Sequence, residues 1–392
     1  MRARDLGIEI GRGEPGPLNA ITDVAGVLVG HTTLIEGDGP LVVGVGPIRT
    51  GVTVVRPHPG LLAEEPLFAG YHSLNGNGEV TGLQWMKESG QLMSPIGLTN
   101  SHSVGVVRDT LAAIECEERS AGHLFWSLPV AGETWDGLLN DINGFHVKSG
   151  HVRRAYQTAC DGPVAEGSVG GGTGMVCHQF KGGIGTSSRV LSGECGGYCV
   201  GVLVQANFGR RADYLVNGAP VGQLLGGDVI PLPEPPEYER NGCAVGSIPP
   251  GAGSIVAIAA TDAPLLPHQC TRLAQRLGLG IARTGDSGDH YSGDIFIAFS
   301  TANRGQPAGN VTWPAPLTYD VEMLASNRID PLFDAAVEAT QEAILNAQLA
   351  AETMVGRDNV TAHALDPERL VAVLQRYDRM RFTVSAPRVT EG

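Results

Sequence analysis

Short runs of small and β-branched apolar residues, each closed off by glycine, recur along this chain: GVLVGHTTL, GVTVV, GGYCVGVLVQANFG and GSIVAIAA. Runs of that length between turn residues read as buried strands. The chain holds 55 glycines in 392 residues, about twice the ordinary frequency. They follow no period, which excludes collagen-like and solenoid architectures. Helical periodicity is confined to a few segments. It is clearest over Asp330–Val355, where Phe333, Ala336, Val337, Ile344 and Ala347 recur at three- and four-residue steps behind an Asp330 N-cap and a first-turn Pro331. A second helix is expected from Asp366, where Asp-Pro-Glu supplies a cap, a proline and an early acid. Others are expected near Val107–Glu118 and over Pro267–Ala282. Strands and helices mix without strict βαβ alternation, which favours a layered α+β sandwich over a doubly wound sheet.

Charge narrows the partners. A net charge of -14, with no basic run, argues against a nucleic acid. The N-terminal MRARDLGIEIGRGEPG lacks the apolar core of a signal peptide, and no stretch approaches the ~18 apolar residues of a membrane span. The expectation is a soluble cytoplasmic protein with no membrane partner. Seven cysteines are scattered without CxxC pairs. Cys195 and Cys199 are spaced CxxxC but lack companion ligands, so buried reduced thiols are expected, with no metal and no cofactor.

One segment differs from the rest. Val229–Gly253 carries six prolines between Pro231 and Pro250 and cannot continue a helix or a central strand, so it reads as an exposed linker. It ends at Ser254, which opens an apolar strand. That junction is either a tight turn or a nucleophile. A serine hydroxyl can attack its own preceding carbonyl, and hydrolysis of the resulting ester frees a new N-terminal serine. Glycine at 253 removes a Cβ, so the backbone can take strained angles and the hydroxyl can approach. The freed α-amine, with a pKa of about 7.7 to 8.0, would then lie beside its own hydroxyl as a general base.

Other polar positions offer partners. Ser292 and Asp294, two apart at the start of another apolar strand, project to one face and can form a relay to a nucleophile, or a solvated turn. Asn207, after a β-run, can donate its amide to an oxyanion or hold a turn. In ETWDG, Glu133 can bind a cationic group and Trp135 can wall a pocket, or both can mark a surface turn. GSVGGGTGM invites a phosphate-loop reading, yet the next lysine is Lys181, outside the required spacing, so a nucleotide site is not expected.

ARDLGIEIG, NAITDVAGVLVGHTTL, SPIGLTNSHSVG, GETWDG, GGGTGMVCHQFKGGIGTSSR, VLVQANFG, GSIVAIAATDAPLLPHQ and SGDIFIAFSTAN, in that order, resemble the DmpA-type aminopeptidases, which include the β-peptidyl aminopeptidases. The resemblance covers nearly the whole chain. It implies a single catalytic domain with a four-layer αββα sandwich, similar to N-terminal nucleophile hydrolases but differently connected. It also implies self-cleavage between Gly253 and Ser254 into an α chain (1–253) and a β chain (254–392). Ser254 matches the nucleophile, Ser292 the serine that assists it, Asn207 the oxyanion-stabilising asparagine and Glu133 the acid holding the substrate ammonium. Asp294 falls where some relatives carry Glu, and Trp135 where some carry Tyr. A peptide, aminoacyl amide or ester would be the substrate, and a homotetramer of αβ units the assembly. Competing readings are an ornithine acetyltransferase-like acyltransferase, which cleaves before threonine, a nylon-oligomer hydrolase, and a non-catalytic scaffold.

Overall fold

The apolar runs form two sheets. Ten strands carry them: β1 (Leu28–Glu36), β2 (Ile48–Arg56), β3 (Leu67–Ser73), β4 (Gln91–Leu92), β5 (Ile96–Asn100), β6 (Val130–Thr134), β7 (Gly183–Val190), β8 (Cys199–Asn207), β9 (Gly253–Thr261) and β10 (Ser292–Ser300). The computed structural model describes residues 1–119, 125–234, 253–306 and 316–381, with the backbone alone for 238–240 and 243–245. A six-stranded sheet has the order β4-β3-β10-β9-β8-β7, and a four-stranded sheet the order β1-β2-β5-β6. Pairing is antiparallel except between β9 and β10 and between β5 and β6.

The strands bury both faces, and alternation along each assigns its residues to two different cores. Leu203, Val256, Ile258, Ile295 and Ile297 of the larger sheet meet Val55, Leu98 and Val130 of the smaller one between the sheets. Val204, Ala257 and Phe296 point the other way, onto Leu273 and Leu277 of α3 (Pro267–Ala282) and Ala339 and Ala343 of α4 (Asp330–Leu349). Val52, Val54 and Ala131 pack outward against α1 (Val104–Glu118) and α2 (Ser149–Gln157). Helices, sheet, sheet, helices is the expected αββα order. At about 1.5–3 kcal/mol for each fully buried aliphatic side chain, the central strands β9 and β10 are held firmly along their length, and their first residues inherit that fixity.

Local details depart from expectation. Helix α4 ends at Leu349 rather than Val355, because Met354–Val355 pairs with Thr361–Ala362 in a short ribbon. Its N-cap is Ile329, with Asp330 already inside the first turn. Helix α5 (Pro367–Arg376) is capped as its sequence predicts, Asp366 accepting from Glu368 N at 3.0 Å and Arg369 N at 3.1 Å. The thiols are not uniformly buried, since Cys116 and Cys160 are exposed while Cys177, Cys199 and Cys270 are interior. Most of the proline-rich segment 229–253 lies outside the described residues. At its start exposure alternates: Pro231 and Glu234 are exposed, while Ile230 and Pro233 are buried and the Ile230 carbonyl accepts from Arg211 Nη1 at 3.1 Å. Among the described residues no helix is long and apolar enough to cross a membrane.

Candidate active site

Three adjacent strands of the larger sheet bring four of the singled-out residues together. Register pairs Ser254 with Asn207 on one side and with Gly293 on the other, while Gly253 pairs with Ser292 and Ile255 with Asp294. The Ser254 hydroxyl is buried, donates to the Gly253 carbonyl at 2.7 Å and accepts from Gly293 N at 3.3 Å. The nucleophile candidate therefore stands against the peptide bond it would cut.

Glycine at 253 is demanded by space. Its backbone is not left-handed, but a Cβ there would sit 2.2 Å from the Asn207 carbonyl oxygen. This replaces the expectation of strained angles with one of close strand approach. Gly293 is similar, a Cβ falling 2.4 Å from Asn77 O.

Asn207 reaches between the sheets. Its Oδ1 accepts from Val176 N at 2.8 Å and its Nδ2 donates to Trp135 O at 2.9 Å. Among the described residues one amide hydrogen remains for another acceptor near Ser254.

Ser292 donates to Asp294 Oδ1 at 2.6 Å, so the shorter acid does contact its serine. Asn75 Nδ2 holds the other oxygen at 3.1 Å and also donates to Asp289 O at 3.1 Å. Burial raises the Asp294 carboxyl above the usual range, opposed by Ser292, Asn75 and the Ile255 N–H. Alternation puts Ser292 and Asp294 on the face shared by Phe296 and Ala298, whereas Ser254 shares the face of Val256. The pair thus flanks the backbone of residues 253–255 rather than the Ser254 hydroxyl.

Glu133 enters from the end of β6. It accepts from Glu79 N at 2.9 Å through Oε1 and from the Ser101 hydroxyl through Oε2. Burial raises its carboxyl, against the pull of those two donors. It lies near Gly293, the strand neighbour of Ser254: a Cβ on Gly78 would be 3.1 Å from Gly293 Cα and 3.2 Å from Glu133 Oε1. Trp135 keeps 37% of its surface and lies over Gly137, at the border of the site. A groove of about 550 Å³ is lined by Gly78, Glu79, Val80, Trp85 and Ile295, and the Glu79 N–H in its wall is the one that Glu133 holds.

A buried serine hydroxyl against a peptide carbonyl, a side-chain amide beside it, a hydroxyl–carboxylate pair and a buried acid are the groups that acyl transfer on an amine-bearing substrate requires. The pattern that defines peptidase family S58 matches residues 19–362. The chain belongs to peptidase family S58.

Among its relatives, this S58 peptidase is 48% identical over 379 residues to the β-peptidyl aminopeptidase BapA of Sphingosinicella microcystinivorans, covering 97% of this chain and 93% of that protein. The structure of a Burkholderia sp. β-aminopeptidase matches with a TM-score of 0.87 and 51% identity over 96% of this chain and 99% of that one. That of the L-aminopeptidase D-Ala-esterase/amidase of Ochrobactrum anthropi, described as a prototype for the serine aminopeptidases and a variant among the Ntn hydrolase fold, gives 0.84 and 42% over 97% and 99%. The S58 chain is accordingly a hydrolase, an aminopeptidase of the serine type on an N-terminal-nucleophile fold.

Sequence reading did not find Asn75, Ser101, the Glu79 N–H or Gly293 N. Asn75 is 219 positions from the carboxylate it holds, so no local spacing signals it. Ser101 stood inside the quoted SPIGLTNSHSVG, but only the fold brings it to Glu133.

Proposed function

We propose that this peptidase matures by cutting its own chain before Ser254 and then releases N-terminal residues from peptides, amides or esters that carry a free amine. The observation that carries this reading is the Ser254 hydroxyl 2.7 Å from the Gly253 carbonyl oxygen, paired across β8 with Asn207. In the maturation step Oγ adds to the Gly253 carbonyl carbon, the Ser254 nitrogen leaves with a proton as an α-amine, and water hydrolyses the ester. Residues 1–253 and 254–392 then form one αβ unit.

In turnover the α-amine takes the hydroxyl proton as Ser254 attacks the first carbonyl of the substrate. The free Asn207 N–H and the Gly293 N–H stabilise the developing oxyanion. Ser292 and Asp294, beside the backbone of residue 254, hold and orient the α-amine through its changes of charge. Glu133 receives the substrate ammonium, and Trp135 walls the entrance. An anchored ammonium limits how many atoms fit before the carbonyl, which gives exopeptidase action. Water releases the acyl group.

The two β-aminopeptidase relatives support β-aminoacyl substrates, and the Ochrobactrum enzyme L- and D-aminoacyl ones. The family resemblance supports a homotetramer of αβ units. Intact-mass analysis, followed by a panel of L-, D- and β-aminoacyl amides, tests the reading. Two fragments divided at 253/254 and hydrolysis of free-amine amides are expected. An active enzyme that keeps the full 40.9 kDa chain would overturn it.

A further inference from the structure

Lys181 follows the glycine-rich stretch that matched no phosphate loop. It is fully buried, and its Nζ lies 2.8 Å from Met175 O, 2.8 Å from Gly182 O and 3.5 Å from Gly172 O. Among the described residues its hydrogen-bond partners are carbonyls alone. Burying an amine without an acid beside it is unfavourable. Burial pulls this one down to about 7. A neutral hydrocarbon of the same length would avoid that cost.

The acceptor at Met175 explains what the amine does. Met175 C=O and Val176 N–H belong to one peptide group, and that N–H donates to Asn207 Oδ1 at 2.8 Å. A chain of dipoles runs from Lys181 Nζ through the 175–176 peptide to Asn207 Oδ1, and leaves through Asn207 Nδ2, which donates to Trp135 O and has one hydrogen free. Hydrogen bonds linked in this way polarise one another. A donor on the peptide oxygen strengthens its N–H, and an N–H on Oδ1 strengthens the amide hydrogens on Nδ2. The same contact fixes the amide orientation, since a flipped Asn207 would set Nδ2–H against the Val176 N–H. Short pairing of Val176–Cys177 with Phe180–Lys181, and Gly182 N on Met175 O at 2.9 Å, keep the peptide plane in place. Both protonation states of the amine retain donors for the two close carbonyls.

We propose that Lys181 is a positioning residue for oxyanion stabilisation: through the Met175–Val176 peptide it orients Asn207 and strengthens the amide hydrogen that faces the reacting carbonyl. This rests on the reading of Asn207 as the oxyanion donor.

The test is a double-mutant cycle of Lys181→Met and Asn207→Ala, with kcat and KM measured on a free-amine aminoacyl amide. Rates are divided by the fraction of chains cut before Ser254, read by intact mass. Lys181→Met is expected to lower kcat roughly 10- to 100-fold, as loss of a partner behind a site ligand does. KM should stay within about two-fold, because the lost interaction acts on the transition state. In the Asn207→Ala background the same change should cost nothing further. Lys181→Gln, which keeps one donor, should fall between. Unchanged kcat in Lys181→Met, an equal loss in both backgrounds, or a loss confined to KM would each overturn the proposal. If Lys181→Met stays uncut, its melting temperature is compared with that of uncut Ser254→Ala. An equal or higher value supports the proposal, and a lower one overturns it in favour of a purely structural lysine. Asn207→Ala with undiminished kcat would instead sink the oxyanion reading, whatever Lys181 does.

Discussion

The two sheets divide the work unequally. The six-stranded sheet presents Ser254, Asn207, Gly293, Ser292 and Asp294 from three neighbouring strands, locked by register and by apolar residues on both faces. The four-stranded sheet supplies Glu133 from the end of its edge strand β6, held by a serine hydroxyl and one backbone N–H. On the proposed assignment, bond making falls where the backbone has little freedom, since small misplacements of reacting groups are costly in rate. Recognition of a charge tolerates more play, and the proposed ammonium site falls at a sheet edge.

The sharpest break in this comparison comes from Ser254→Ala. It should give a single uncut chain of 40.9 kDa by mass spectrometry and lose amidase activity by roughly 10⁴-fold or more. Two normal fragments from that variant would remove the larger sheet from the chemistry. Next in size, Asn207→Ala should lower kcat roughly 10² to 10³-fold with KM little changed. A steady-state effect mainly on KM would erase the distinction between the sheets.

Glu133→Gln should act the other way, raising KM for free-amine substrates roughly 10- to 100-fold over amine-blocked analogues. Equal losses for both would count against an ammonium site. The sign of its pH dependence follows from the raised carboxyl: protonated Glu133 is neutral and attracts no cation. Affinity for free-amine substrates should therefore fall on acidification at a pH above the ordinary glutamate range, and the Gln variant should lack that limb.

The smallest effect tests the loop ahead of β10. Asp286 is pushed up to about 6 by burial and then by the charges of Asp294 and Asp289. Its folded form binds the proton more tightly than the unfolded chain, so stability declines as pH rises from about 4 through about 6. Asp286→Asn escapes that loss and should melt higher at pH 7.5, by about 1 kcal/mol or less, and equally at pH 4. A melting curve unchanged at both pH values would show that neither burial nor the charges of Asp294 and Asp289 hold the Asp286 proton.

The layers were legible because their signals are local. GSIVAIAA and SGDIFIAFS alternate between two cores, Asp366 caps its helix, and Pro267–Ala282 keeps a helical face. The end of α4 was misread because Ala350–Val355 continues the apolar pattern while a ribbon with Thr361–Ala362 claims its backbone. In the site, the Gly253–Ser254 junction and the two-residue spacing of Ser292 and Asp294 each fitted a turn as well, and the family resemblance singled them out. What the sequence could not convey is contact across long separations. Asn75 on Asp294 and Ser101 on Glu133 depend on how strands and sheets meet. The spatial reason for Gly253, the nearby Asn207 carbonyl, belongs to the same class.

Residues 75–79 touch both halves of the site: Asn75 on Asp294, Asn77 O against Gly293, Gly78 beside both Gly293 and Glu133, and the Glu79 N–H on Glu133. If Ser254 cuts and Glu133 grips as proposed, these five residues are the ruler between the two points. Inserting or deleting one of them should then recalibrate which backbone spacing the enzyme accepts, without replacing any group that makes or breaks a bond.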